Sequence, residues 1–189
     1  MNQQINKIFG IGLSRTGTSS LYEALEMLSI KTIHYPTDYK QIETHKAAVD
    51  GAVAVGYRYL DAMFPDSKFI FTDRDWYDWD KSIESFFKIN VNVISELHDG
   101  KVLDLTDKVN MALYNATTYQ ESFMQAFRDH KSGIKKWFKE RKDDLLTINI
   151  CKGDGWGKLC PFLGCDIPNI EFPKSNSKSQ SWETLASIF

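Results

Sequence analysis

The run Gly12-Leu13-Ser14-Arg15-Thr16-Gly17-Thr18-Ser19-Ser20 constrains this chain more than any other stretch. It follows a short apolar segment, Lys7-Ile8-Phe9-Gly10-Ile11, and opens into a helical pattern in which Leu21, Ala24, Leu25 and Leu28 form one stripe. A strand, a glycine loop and a helix N-terminus in that order make a cradle for phosphate, because unpaired amides and the helix dipole both favour an anion there. Against the nucleotide phosphate-loop template G-x-x-x-x-G-K-[ST], the run matches at Gly12, Gly17 and Ser19 and carries Thr18 in place of the lysine. The lysine that grips the β- and γ-phosphates is missing, and Arg15 stands two residues before the second glycine. That combination points to a phosphate-bearing ligand other than ATP or GTP. An ordinary Ser/Thr-capped helix start is the alternative reading of the same residues.

The rest of the chain alternates strand-like and helix-like segments. Residues 7–12, 31–35, 68–72 and 145–150 read as strands. Residues 18–29, 38–49, 53–63, 76–87 and 156–163 read as helices, and 91–143 is mostly helical. Alternation of this kind predicts an α/β three-layer sandwich with a central, mostly parallel sheet. At 189 residues and 42% hydrophobic, a single domain over 1–189 is expected, with 173–189 a tail packed on it or extending from it. In such a sheet the loops after residues 12, 35, 72 and 150 converge beyond the carboxyl ends of the strands.

Composition excludes several classes. Lys and Arg total 23 against 25 Asp and Glu, a net charge of −2, so bulk charge points to no nucleic acid and no anionic membrane. No window approaches 18 apolar residues, the length of a transmembrane helix. Met1-Asn2-Gln3-Gln4 lacks the basic and apolar regions of a signal peptide. Cys151, Cys160 and Cys165 form no C-x-x-C pair and read as free thiols, which fits a cytoplasmic location.

A second constellation runs from Phe64 through Lys68-Phe-Ile-Phe-Thr72 to Asp73-Arg74-Asp75 and on to Ser82. Arg74 stands at the carboxyl end of a strand, and Ser82 lies two turns into the next helix. The two can hold a second phosphate from two directions; equally, Arg74 can pair with Asp75 or Asp78 at the surface.

Taken together, these segments resemble the P-loop sulfotransferases that use 3′-phosphoadenosine 5′-phosphosulfate (PAPS). Arg15-Thr16-Gly17-Thr18-Ser19 is similar to that family's first loop, P-[KR]-[ST]-G-T-[ST], and Arg74 with Ser82 to its later arginine and serine. A small sulfotransferase-like branch is similar over nearly the whole chain. Its G-x-x-R-T-G-T-[ST]-S-L loop, A-x-x-D segment, Y-P-x-[AS]-K-[FV]-I-[LF]-T-x-R-D segment and W-x-x-L-C-x-F-L-G segment have counterparts here. They lie at 12–21, Ala47-Ala48-Val49-Asp50, Phe64–Asp75 and Trp156–Gly164. Two departures stand out: Trp76 where a proline is usual, and Asp73 where an apolar residue is usual.

The resemblance implies a P-loop NTPase-like sulfotransferase fold. It also implies transfer of a sulfonate from PAPS to a hydroxyl or amine, leaving 3′-phosphoadenosine 5′-phosphate (PAP), with no metal required. Donor-binding residues carried over are Ser14, Arg15, Thr16, Gly17, Thr18, Ser19, Ser20, Arg74 and Ser82. Lys152, in the turn after the last strand, can close over the nucleotide or simply belong to that turn. Arg15, in the place of the family's loop lysine, is the candidate for stabilising charge on the leaving phosphate, and His34 and Asp50 are the candidate bases. His45, His98 and His130 read as structural or solvated. The basic series from Arg128 to Lys142 reads as a solvated face. The acceptor is expected to be a small or carbohydrate-like molecule, in a pocket built from 35–60 and 88–125. Two other readings stay open. One is a magnesium-dependent kinase or nucleotidase, with Asp73 ending a Walker B-like strand. The other is a non-catalytic nucleotide-binding relative.

Overall fold

The computed structural model describes residues 6–97 and 100–175. Five parallel strands, β1 (Ile8–Gly10), β2 (Thr32–His34), β3 (Ala47–Val49), β4 (Lys68–Thr72) and β5 (Leu145–Ile148), form one sheet in the order β2-β3-β1-β4-β5. The described helices are α1 (Thr18–Met27), α2 (Tyr39–Thr44), α3 (Gly51–Met63), α4 (Trp76–Leu97), α5 (Gly100–Tyr114), α6 (Phe123–Trp137) and α7 (Trp156–Leu163). The α/β class and the parallel sheet agree with the sequence-based expectation.

The period-two alternation of the strands sorts their side chains onto two faces. Ile8, Ala47, Val49, Ile70 and Ile148 point to one face and are covered by Leu21, Ala24 and Leu25 of α1 and by Trp156 and Leu159 of α7. Phe9, Ile11, Ala48, Phe69 and Phe71 point to the other, under Val53, Tyr57 and Leu60 of α3 and Ile134 of α6. A third cluster, with Leu13, Trp79, Ile83, Phe87, Tyr114, Phe123 and Phe127, unites α4, the end of α5 and the start of α6. These layers place α1, which follows β1, on one face and α3, which follows the neighbouring β3, on the other. The crevice between the carboxyl ends of β1 and β3 is therefore a topological switch point, where ligands bind in open α/β sheets.

One expectation needs correction. Residues 38–49 do not form a single helix: α2 stops at Thr44, His45 is extended, and Ala47–Val49 becomes β3, paired with β1 and β2. Alanine's helix propensity suggested continuation, but all three β3 residues are buried, and small side chains suit a strand covered on both faces. Elsewhere the shifts are at boundaries. α3 begins at Gly51, and α4 runs past residue 87 to Leu97. β5 stops at Ile148 before a 3-10 turn, and α5 and α6 are separated by 115–122. His98 and most of the 173–189 tail lie outside the described residues.

Phe69 is fully buried between Phe9 (ring centroids 5.4 Å apart) and Phe138 (4.8 Å). Phe69→Ala should lower unfolding free energy by about 3–5 kcal/mol, read as a shifted midpoint in urea denaturation.

Candidate active site

At the end of β1 the chain must pass very close to β4. A Cβ on Gly12 would overlap the Thr72 hydroxyl and lie 2.7 Å from that of Thr16, so only glycine fits. Gly17, at φ 104°, is in the left-handed region and serves as the N-cap of α1. Between them the loop is held by protein donors acting on its carbonyls. The Thr16 hydroxyl donates to Leu13 O (2.6 Å), the Trp79 indole to Ser14 O (2.9 Å), and Arg74 Nη1 to Arg15 O (2.7 Å); Leu21 N donates to Gly17 O (3.0 Å). The amides of Arg15, Gly17 and Thr18, by contrast, have no backbone acceptor among the described residues. Carbonyls drawn outward and amides left over make an anion-binding concavity at a helix N-terminus.

Asp50 closes the other side. It follows β3, serves as the N-cap of α3 and is 8% exposed. Its Oδ1 accepts from the Ser14 hydroxyl (2.9 Å) and the Gly51 amide (2.6 Å); its Oδ2 accepts from the Thr18 hydroxyl (2.8 Å) and faces His34 Nε2 at 3.0 Å. Burial alone pushes this carboxyl's pKa up. The His34 contact and the Thr18 and Ser14 hydrogen bonds outweigh it and hold the group at about 2. His34 ends β2 and packs on Tyr22, with ring centroids 5.4 Å apart. Arg15, Tyr35 and Asp50 all have positive φ (69°, 55° and 87°), a strained conformation for non-glycine residues, and all three lie just after strand ends around this site.

On the α4 side, Arg15 Nε donates to the Ser82 hydroxyl at 3.2 Å, and the Arg15 guanidinium lies 5.5 Å from the Phe86 ring centre. Burial and the nearby Arg74 cation lower the Arg15 pKa, opposed by Asp50 and Cys151. Asp73 is turned away: Oδ2 pairs with Lys131 (2.5 Å), and Oδ1 accepts the Arg74 amide (3.0 Å). Trp76 packs on Trp79 and Phe127 at 5.6 and 5.5 Å.

The structure brings Ser14, Arg15, Thr18, His34, Asp50, Arg74 and Ser82 together. Thr16 belongs to the same loop, but its buried hydroxyl also shares a 2.6 Å hydrogen bond with Thr72 and faces the core. Ser19 lies in the first turn of α1. Ser20 is buried and its hydroxyl accepts the Ser175 amide at 3.0 Å, so the returning chain covers it. Lys152 is exposed and ion-paired with Asp75. His45 bonds its own helix at Gln41 O, and His130 Nε2 donates to Ile11 O (2.8 Å), where burial lowers its pKa. Within the basic series Lys131 and Arg141 pair with Asp73 and Asp61. Trp79 escaped the sequence reading, and Lys131, read there as part of a solvated face, instead pairs with Asp73 beside the site. The spacing of Trp79, Ile83 and Phe87 marks an inward stripe, but nothing in it names Ser14 O as a partner.

A family model described as a sulfotransferase domain matches residues 7–46 and 39–181, together nearly the full length. The chain belongs to the sulfotransferase domain family. It is also similar to the Ava biosynthesis cluster protein M of Aspergillus versicolor, at 25% identity over 217 aligned positions that cover 88% of this chain and 79% of that protein. Among the described residues, no helix is long and apolar enough to cross a membrane.

A carboxyl whose folded pKa lies below its unfolded value stabilises the fold above the unfolded value and loses that contribution as pH falls toward the folded one. For Asp50, moving from 3.8 to about 2, the contribution is about 2 kcal/mol at neutral pH. Urea titrations of wild type and Asp50→Asn should show a constant stability gap from neutrality down to about pH 5. The gap should shrink by that amount between about pH 4 and about pH 2.

Proposed function

We propose that this sulfotransferase-family protein is a PAPS-dependent enzyme that sulfates a hydroxyl or amine of a small acceptor. The observation that carries the reading is the pairing of the amide cradle with two guanidinium groups from different strand ends, Arg15 and Arg74, tied by the Arg74–Arg15 O hydrogen bond. Arg74 Nε is buried without a hydrogen-bond partner among the described residues, which suits a site made for an additional acceptor such as a phosphate oxygen. The Ser82 hydroxyl accepts a hydrogen bond from Arg15 Nε on the same side of the loop.

When bound there, the donor supplies an activated sulfonate. Arg74 and Ser82 hold its 3′-phosphate, and the amides of Arg15, Gly17 and Thr18 with Ser19 of the first α1 turn orient its 5′ end. Arg15 neutralises charge that builds on the leaving phosphate oxygen as the bond from sulfur to that oxygen breaks and the bond to the acceptor forms. An arginine acts electrostatically here, since it does not give up its proton. Asp50, held at about 2 by its donors, is too weak a base near neutrality. His34 takes up the acceptor's proton, and Asp50 stabilises the imidazolium that results. Lys152 closes over the nucleotide after leaving Asp75. Asp73, which a magnesium-dependent nucleotidase would need beside the loop, is engaged by Lys131 instead.

Calorimetry should detect binding of PAP and none of ATP at equal concentration; the reverse result would overturn the reading. Arg74→Ala should mainly weaken PAP binding. Arg15→Ala should lower turnover by about 10²- to 10³-fold, the usual effect of removing a preorganised charge stabiliser. Nucleotide binding with no sulfated product from any acceptor would identify a non-catalytic relative.

A further inference from the structure

Two of the three cysteines meet at the end of α7. Cys160 is buried with Trp156 and Leu159 against the sheet, whereas Cys165 is exposed. The helix stops at Leu163 because Gly164, at φ 71°, turns the chain into the left-handed region, which favours glycine. The Gly164 and Cys165 amides both donate to Cys160 O, the latter at 3.1 Å. A helix end closed in this way sets its first and sixth residues side by side. The Cys165 thiol accordingly lies over the same carbonyl, with Sγ 3.8 Å from Cys160 O, and the two thiols are in hydrogen-bonding contact.

From Cys165 the chain continues as a strap, 166–175, that returns to the start of α1. The Trp156 indole donates to Ile170 O (2.9 Å), and Phe172 packs on the Trp156 ring with centroids 4.8 Å apart. Gly155 makes room for that ring: a Cβ there would lie 3.0 Å from Phe172 Cβ. Ser175 N then donates to the Ser20 hydroxyl (3.0 Å) in the first turn of α1, beside the phosphate loop. The thiol pair therefore stands where α7 hands over to the segment that covers that turn.

We propose that Cys160 and Cys165 are a peroxide-responsive pair whose disulfide tethers the start of this strap to α7. Exposure assigns the roles. Cys165, at the surface, meets the peroxide first. Burial and the contact with Cys165 push the Cys160 thiol up to about 11, so it keeps its proton until its partner is oxidised. The Cys165 thiolate attacks one peroxide oxygen, the O–O bond breaks, and a sulfenic acid and hydroxide form. The Cys160 sulfur then attacks the Cys165 sulfur, the S–O bond breaks, and the departing hydroxyl leaves as water with the Cys160 proton. Two thiols are thereby oxidised to one disulfide, and hydrogen peroxide is reduced to water. The bond from Cys165 N to Cys160 O already holds the two residues together, which lowers the entropy lost on closing the ring.

The experiment uses the full chain with the exposed Cys151 replaced, Cys151→Ser, so that only the pair remains. After treatment with a small excess of hydrogen peroxide, the expected mass is about 2 Da below that of the reduced chain, with no thiol left to titrate after denaturation. Non-reducing electrophoresis should show no cross-linked chains, and dithiothreitol should restore both thiols. Cys165→Ser in the same background should leave Cys160 a thiol throughout, while Cys160→Ser should leave a Cys165 sulfenic acid that dimedone traps. The tether shortens the segment free to lift away, so a glutamate-specific protease should cut at exposed Glu171 at least about threefold more slowly in the oxidised chain. The inference is overturned if both thiols survive peroxide, if the disulfide joins two chains, if Cys165 passes on to sulfinic acid with Cys160 intact, or if both forms are cut at Glu171 equally fast. None of these readouts involves a nucleotide, so the donor reading stands or falls separately, on PAP binding.

Discussion

The arrangement around the phosphate loop depends on one buried carboxylate. Asp50 gathers the Ser14 and Thr18 hydroxyls, the Gly51 amide and His34 on two oxygens, and so ties β2, β3, the loop and the starts of α1 and α3 to one point. A charge this deep is tolerated because every side of it is met by a donor; removing any one would leave a buried anion partly unsatisfied. The strained backbone of Asp50 itself is paid for by that network.

The same carboxylate explains why Thr18 stands where nucleotide-binding loops carry a lysine. A lysine ammonium at that position serves a triphosphate tail. The threonine hydroxyl instead faces inward to Asp50, and the positive charge is supplied by Arg15 and Arg74 from the α4 side. Asp73, beside Arg74, does not cancel that charge, since Lys131 of α6 draws its carboxylate away. Charge neutralisation is thus shared among α4, α6 and the loop.

Much of this was legible in the chain, for physical reasons that can be named. Gly12 and Gly17 are spaced for a tight turn into a helix, and Arg74 and Ser82 lie on one side of a strand–helix junction. Such local patterns survive in sequence because each depends on neighbours only a few residues away. β3 was not legible. Ala47-Ala48-Val49 is short, and alanine suits a helix as well as a doubly covered strand, so only pairing to β1 and β2 decides between them. Thr16 and Ser20 illustrate a second limit. Their type fits a phosphate cradle, yet Thr72 and Ser175, each more than 50 positions away, take up their hydroxyls.

The sequence by itself determined the alternation of strands and helices, the glycine loop and the set of residues able to meet an anion. Those follow from periodicity, turn chemistry and side-chain type. Only the tertiary structure decided which oxygen each donor meets: that Asp50 anchors the loop, that Trp79 holds Ser14 O, and that Asp73 faces Lys131. Those contacts join segments brought together by burying the two faces of the sheet, and burial constrains which groups meet far more tightly than local pattern does.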